Sequence, residues 1–281
     1  MKILITGING QVGSALVHQA QYKGHEVVAI SREQWDMAQA PEQGKELVLE
    51  AKPDLVINPA AYTNVDGAED DEATALKVNA DAPRALAKGC KQLDIPIFHV
   101  STDYVFDGTK EEPYVETDQT NPINAYGRTK LAGELAVQEE TEKYIILRTS
   151  WVFSKDGKNF VNTILRLAKE RDELKVVNDQ FGGPTSADCI AEVLLQLATE
   201  HQDQWGIYHY SGQPFVSWYE FAKKIVEQGV KDGLLTKAPV IKPCGSDEFP
   251  VKAKRPQNST LFNASIKNRM YMLDCDWQRL L

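Results

Sequence analysis

The sequence predicts an α/β fold built on a doubly wound parallel sheet, and three observations carry the prediction. Short apolar runs of strand length alternate with longer stretches of helical period through the first half of the chain. The turn Gly7-Ile8-Asn9-Gly10-Gln11-Val12-Gly13 follows the first apolar run directly and opens a helical stretch. Neither a linker nor an internal repeat interrupts the 281 residues, a length that suits one large α/β domain or a large one with a smaller companion.

In order, the apolar runs are Lys2–Thr6, Glu26–Ile30, Asp54–Asn58, Ile97–Ser101 and Tyr144–Arg148. Continuous runs of this kind mark strands buried on both faces, as in a parallel sheet. Helical stretches lie between them, at about Gln11–Tyr22, Pro41–Ala51, Ala68–Gln92 and Ala125–Glu139. Right-handed crossovers then gather the loops at the carboxyl ends of the strands around one crevice, where ligands bind. After about residue 150 the rhythm loosens. Helices are expected at Phe160–Arg171, Ala187–Glu200 and Trp218–Gln228, a strand at Gly206–Tyr210, and a surface loop from Pro243 to Pro256 containing Gly245 and Pro250.

A net charge of −9 disfavours nucleic-acid or anionic-membrane binding through bulk charge and leaves room for a local basic pocket for phosphate. With 42% hydrophobic and 25% charged residues, the composition is that of a globular chain rather than a disordered one. The amino terminus opens at once on a strand-like run without a signal-peptide core, and no apolar run reaches the roughly 18 residues of a membrane span. Cys90, Cys189, Cys244 and Cys275 form no Cys-x-x-Cys pair, and His18, His25, His99, His201 and His209 show no ligand spacing. Reduced cytoplasmic thiols and no protein-built metal site are therefore expected.

The glycine turn fits G-x-x-G-x-x-G, with Gly7, Gly10 and Gly13 at its three glycine positions and Gln11 and Val12 between the last two. Side chains at such a turn would hold the backbone away from a pyrophosphate whose charge is met by helix amino-terminal amides. A ligand-free tight turn would use the same residues, but the place after strand one of a β-α-β unit favours a dinucleotide and a Rossmann sheet. After the second strand come Ser31-Arg32-Glu33: Ser31 and Arg32 suit the extra phosphate of NADPH, whereas Glu33 suits the ribose hydroxyls of NADH. After the third strand, the small residues of Pro59-Ala60-Ala61-Tyr62-Thr63 would admit the middle of a cofactor, although close strand packing alone would also select Ala60 and Ala61.

Ser101-Thr102-Asp103-Tyr104 ends the fourth strand, and Tyr126-Gly127-Arg128-Thr129-Lys130 opens the next long helix. Spacing of i, i+4 places Tyr126 and Lys130 on one helix face. A phenol is a poor acid or base near neutrality, and the Lys130 cation is expected to lower its pKa towards the working range. Thr102, presented from the strand end, can hydrogen-bond the same carbonyl oxygen, so the three groups suit carbonyl reduction by hydride and proton. Ser101, one residue earlier, is grouped with the cofactor-binding residues. Asp103 either binds substrate hydroxyls or caps a turn, Trp151 either packs on a sugar ring or fills core, and Arg255 either grips a diphosphate or makes a surface ion pair.

These segments, together with Arg148-Thr149-Ser150-Trp151-Val152, Asn178–Thr185 and Arg255-Pro256, resemble the dTDP-4-dehydrorhamnose reductases of the extended short-chain dehydrogenases across roughly residues 1 to 260. The most specific run is Ser101-Thr102-Asp103-Tyr104-Val105-Phe106-Asp107-Gly108. The resemblance implies a cofactor domain over residues 1–150 and a smaller domain over 151–281 that holds the nucleotide sugar, with segments returning to the first. It implies reduction of a 4-keto sugar nucleotide to dTDP-L-rhamnose with NADPH or NADH. By position, Gly10, Gln11 and Val12 would line the phosphates, Asp36 and Met37 the adenine, and Ala61, Tyr62 and Thr63 the ribose and the middle of the cofactor. Tyr126 and Lys130 would stand beside the nicotinamide, while Thr102, Asp103 and Trp151 would face the sugar. Some members form a homodimer through a magnesium ion held by acidic residues, which find no counterpart positions in this sequence. Two rival functions fit the same motifs: another sugar-nucleotide reductase or epimerase, and a non-catalytic subunit resembling the regulatory subunit of methionine adenosyltransferase.

Overall fold

The computed structural model describes residues 1–200, 204–270 and 275–281, with side chains undescribed at 268–270; His201 lies outside the described residues. The chain runs β1 (Lys2–Thr6), α1 (Gln11–Tyr22), β2 (Glu26–Ile30), α2 (Gly44–Ala51), β3 (Leu55–Asn58), α3 (Val65–Asp70), α4 (Glu72–Leu76), a π turn (Lys77–Asp81) and α5 (Ala82–Leu93). It continues through β4 (Ile97–Thr102), α6 (Ala125–Glu140), β5 (Tyr144–Thr149), β6 (Val152–Phe153), α7 (Phe160–Glu170), β7 (Glu173–Val177), β8 (Phe181–Gly182), β9 (Thr185–Ser186) and α8 (Ala187–Glu200). The remainder comprises β10 (Gly206–His209), β11 (Val216–Ser217), α9 (Trp218–Lys231), β12 (Val240–Cys244) and α10 (Ala264–Met270).

Six parallel strands form the main sheet in the order β10-β5-β4-β3-β1-β2. Alternation along β1 decides what each face covers. Ile3 and Ile5 join the core under α1 and α8, while Leu4 joins Val56 in the core under α2, α5 and α6. Each such fully buried aliphatic side chain contributes about 1.5–3 kcal/mol. The order reverses beside β1, and the carboxyl ends of β1, β3, β4 and β5 open into the cleft at that switch point.

Two sequence expectations differ from the fold. The single helix expected over Ala68–Gln92 is broken twice. Asp71, at φ −143°, leaves the helical region and its carboxylate accepts from Thr74 N to start α4 anew. Pro83 has no N–H for the carbonyl of Asn79 four residues back, and the helix widens there into the π turn. Within the stretch expected to be loop from Pro243, β12 instead pairs in parallel with β7. Proline is tolerated because this is a two-stranded ribbon, where one N–H need not be donated. That ribbon, α7 and α9 enclose a separate apolar core around Phe153, Ile164, Leu174 and Phe221, while α8 packs back on α1 and β10 completes the main sheet.

Candidate active site

One cleft of about 1180 Å³ runs along the carboxyl ends of the central strands. Of the site residues expected from sequence, it is lined by Gly7, Gly10–Gly13, Ser31, Arg32, Asp36, Met37, Ala60–Thr63, Ser101–Asp103, Tyr126, Lys130 and Trp151; Arg255 alone falls outside it. Glu33 is also outside the lining.

At one end Gly7 adopts φ +59°, and a Cβ there would stand 2.8 Å from the Ala60 backbone. A Cβ on Gly13 would lie 2.2 Å from Gly7 O, so the first turn of α1 sits directly on the loop. No side chain caps that helix and its first turn holds no acidic residue, which leaves its amides and positive dipole end facing the cleft. Gln11 bridges this loop to the segment after β6: its Oε1 accepts from Ser154 Oγ at 2.8 Å and Asn159 Nδ2 at 2.9 Å. The connection brings the exposed Lys155 and Lys158 to the cleft rim, a contribution the sequence did not announce. Beyond the loop, the Arg32 guanidinium is exposed, with Asp36 as an ionic partner at 3.5 Å.

At the other end the reactive groups meet. Asn124 caps α6 by accepting from Gly127 N at 2.8 Å, and Glu69 accepts from Ala125 N at 2.7 Å. These bonds fix the turn that carries Tyr126. A Cβ on Gly127 would come within 2.2 Å of Tyr104 O, so glycine lets α6 start against the strand end bearing Thr102. Thr102 Oγ1 donates to Asp103 Oδ1 at 2.9 Å, with the Tyr126 phenol beside it. Burial, reinforced by the Asp103 charge and opposed by Thr102, pushes the Tyr126 phenol up to about 12. This corrects the expected lowering by Lys130. The ammonium is itself brought down to about 8 by burial, against the support of Glu134, and is bonded to Val100 O at 2.7 Å instead of to the phenol.

Burial also raises the Asp103 carboxyl to about 7, although the nearby Ser259 and Thr102 hydroxyls oppose the rise. Ser259 Oγ donates to Phe181 O at 3.3 Å, and Asp103 Oδ2 is left without a hydrogen-bond partner. Ser101, expected beside the cofactor, donates its hydroxyl to Glu134 Oε1 at 2.5 Å. It therefore reaches the cleft with its side chain already engaged. Glu134 also grips Arg148 through 2.7 and 2.9 Å bonds, the two side chains being 1% and 3% exposed. Charges in otherwise buried segments were the sequence signal for this pair. Asn79, projecting from the π turn, holds Tyr62 N at 2.8 Å and Thr129 Oγ1 at 3.0 Å, tying the cofactor side of the cleft to α6.

Trp151 lines the cleft and is also packed against neighbouring side chains. It sits at φ +46°, its ring stacks on Trp218 at 3.4 Å between centroids, and it also meets Phe221 and Gly182, where a Cβ would fall 2.3 Å from the indole. Trp218 was not singled out from sequence. Arg255 instead lines a second cavity of about 560 Å³ beside Asp107, Gln180 and Asp247. Its Nη2 pairs with Asp66 at 2.9 Å, while Nη1 is buried without a hydrogen-bond partner. Among the described residues no group of three or more His, Cys, Asp or Glu is placed to hold a metal ion, so the magnesium implied by resemblance finds no fitting donor set. No helix among them is long and apolar enough to cross a membrane.

A family model described as the RmlD substrate binding domain matches residues 1–281. A dTDP-4-dehydrorhamnose reductase of Burkholderia thailandensis is 45% identical over 287 residues, covering 99% of this chain and 96% of that protein. The crystal structure of a dTDP-4-dehydrorhamnose reductase from Clostridium acetobutylicum matches with a TM-score of 0.91 and 40% identity, over 99% of this chain and 96% of that one. The Bacillus anthracis dTDP-4-dehydrorhamnose reductase in complex with NADP matches equally, with a TM-score of 0.91 and 35% identity over 99% and 96% of the two chains. Motifs, sheet order, cleft and relatives agree: this chain belongs to the dTDP-4-dehydrorhamnose reductase family.

Proposed function

We infer that this chain reduces dTDP-4-dehydro-L-rhamnose to dTDP-L-rhamnose with NADPH, in dTDP-rhamnose biosynthesis. The observation that carries the reading is one cleft with a glycine loop and an uncapped helix end at one extremity and Thr102, Tyr126 and Lys130 at the other. NADPH, when bound, supplies the hydride. The chain's own groups do the rest. Thr102, turning its hydroxyl from Asp103, and Tyr126 hydrogen-bond the keto oxygen and fix its place, and Tyr126 gives up the phenolic proton as negative charge develops there. A phenol held near 12 is fully protonated at neutral pH, which is the form a proton donor needs. Lys130 stands one helical turn away to support the phenolate left behind.

Residues 151–281 we read as mainly the sugar-nucleotide side, with Asp103 and Trp151 against the sugar. Arg255, with a buried nitrogen free to donate, suits the diphosphate through the second cavity. Arg32 suits the 2′-phosphate of NADPH, being exposed and only loosely held by Asp36, while Glu33 stands outside the cleft. Arg32→Ala is accordingly expected to weaken NADPH binding by about tenfold or more and to leave NADH within about twofold, measured by quenching of tryptophan fluorescence.

The function itself is tested by the fall in NADPH absorbance when the purified protein meets freshly generated dTDP-4-dehydro-L-rhamnose, with a no-sugar blank. Rapid oxidation is expected. No oxidation with verified substrate and bound cofactor would overturn the reading in favour of an epimerase or a regulatory subunit.

A further inference from the structure

Beneath Lys130 lies a buried polar chain that the reaction as described does not use. Lys130 Nζ is 3.4 Å from His99 Nε2; His99 Nδ1 is 3.0 Å from Asn58 Nδ2; and Asn58 Oδ1 accepts from Thr6 Oγ1 at 2.5 Å. Thr6, Asn58 and His99 are each 0% exposed and Lys130 is 1% exposed. Asn58 and His99 are register partners on β3 and β4, and Thr6 ends β1 immediately before Gly7. The chain therefore crosses three strands from the phosphate loop to the lysine.

Its hydrogen bonds have a direction. With Thr6 donating to Asn58 Oδ1, the Asn58 amide donates to His99 Nδ1, and the imidazole proton sits on Nε2, facing Lys130. That arrangement suits a neutral amine, which accepts. Turning the Asn58 amide over reverses every bond: the ammonium donates to Nε2, Nδ1–H donates to Asn58 Oδ1, and the amide N–H donates to Thr6 Oγ1. Both arrangements keep the three contacts of the chain, and both require an uncharged imidazole. Burial and the neighbouring Lys130 hold His99 far below its usual pKa, which supplies that condition.

We propose that His99 is a positioning residue for the reduction, a neutral imidazole whose tautomer follows the charge of Lys130, so that the lysine keeps its bond to the ring, beside the one it gives Val100 O, with or without its proton. The charged and titratable groups around the pair are Tyr126 and Glu134 from α6, Asp103 from the end of β4 and Arg148 from β5. Arg148 is taken up by Glu134, and β1, β3 and the π turn contribute the uncharged Thr6, Asn58 and Asn79. His99 is thus the group able to adapt to the lysine from below. The inference rests on the reading of Lys130 as the partner of Tyr126 beside the nicotinamide.

The test follows wild type, His99→Leu and His99→Gln from about pH 6 to about pH 10, across the Lys130 titration. Nitrogen-15 histidine spectra of the wild type are expected to show a neutral His99 throughout, moving from the Nδ1–H to the Nε2–H tautomer as Lys130 loses its proton. NADPH affinity, read by fluorescence, is expected to fall at alkaline pH. Losing a hydrogen bond to the ammonium moves that fall down by about one pH unit in His99→Leu. In His99→Gln, whose amide can offer either oxygen or N–H, the fall stays within a few tenths of the wild-type position. An imidazolium in this range, a single tautomer across the lysine titration, or an unmoved His99→Leu profile would each overturn the proposal. Should His99→Leu fail to fold by circular dichroism, the wild-type spectra decide alone. Wild-type turnover of the sugar nucleotide is measured alongside; its absence would overturn the reductase reading without touching either of these readouts.

Discussion

Tyr126→Phe is expected to lower kcat by about a thousandfold, in line with the loss of a positioned general acid. The NADPH Kd is expected to stay within about threefold of wild type, since the cofactor's charge is met at the far end of the cleft. Only the hydroxyl is removed: the ring keeps its edge-on packing against Tyr104, 5.7 Å between centroids, and α6 keeps its Asn124 cap. The loss should therefore appear in turnover and not in folding. Single-turnover absorbance at 340 nm, a property of the reduced nicotinamide rather than of this chain, reads the chemical step directly. Turnover above about a tenth of wild type would remove Tyr126 from the role of proton donor.

Glu134→Ala is expected to have the largest effect on stability, about 3–5 kcal/mol, because it leaves Arg148 buried without its counter-charge. Arg148 has little else to turn to. Its remaining contacts are His209, 3.4 Å away and held by burial and by Arg148 itself at a pKa of about 3, and the ring of Phe106 at 5.2 Å. Ser101 loses its acceptor in the same variant. Urea denaturation followed by circular dichroism measures the loss. The double variant Glu134→Leu with Arg148→Met, which removes both charges, should recover most of it. A loss below about 1 kcal/mol for the single variant would show that the pair is not the clamp on α6 that its geometry describes.

What the sequence made legible was local. The glycine loop is contiguous, Tyr126 and Lys130 are one turn apart, and strands buried on both faces announce themselves as apolar runs. What it hid depended on partners far along the chain. Of the two roles the sequence offers Arg255, diphosphate ligand or ion pair, the ion pair forms with Asp66, a partner 189 residues away that no local pattern names. The i, i+4 spacing predicts that Lys130 lowers the Tyr126 pKa, but burial acts on both groups, and burial is a property of the folded neighbourhood. The break in the helix after Ala68 turned on Asp71 and Pro83, local signals that an unbroken apolar periodicity concealed. Trp218 carried no motif, and only its capped helix start brings it to Trp151.

The left-handed backbone at Trp151 has a bearing on how this pocket can diversify. A non-glycine residue there carries a conformational cost of about 1–2 kcal/mol, and the ring is wedged between Trp218 and the bare α-carbon of Gly182. A larger residue at 182 displaces the indole, a smaller one at 218 removes what holds it in place, and a new side chain at 151 inherits the strained backbone without the packing that offsets it. A single substitution at this wall of the cleft therefore carries the strain of the other two positions with it. Changes at 151, 182 and 218 are expected to be strongly non-additive in stability, the triple exchange costing less than the sum of its parts.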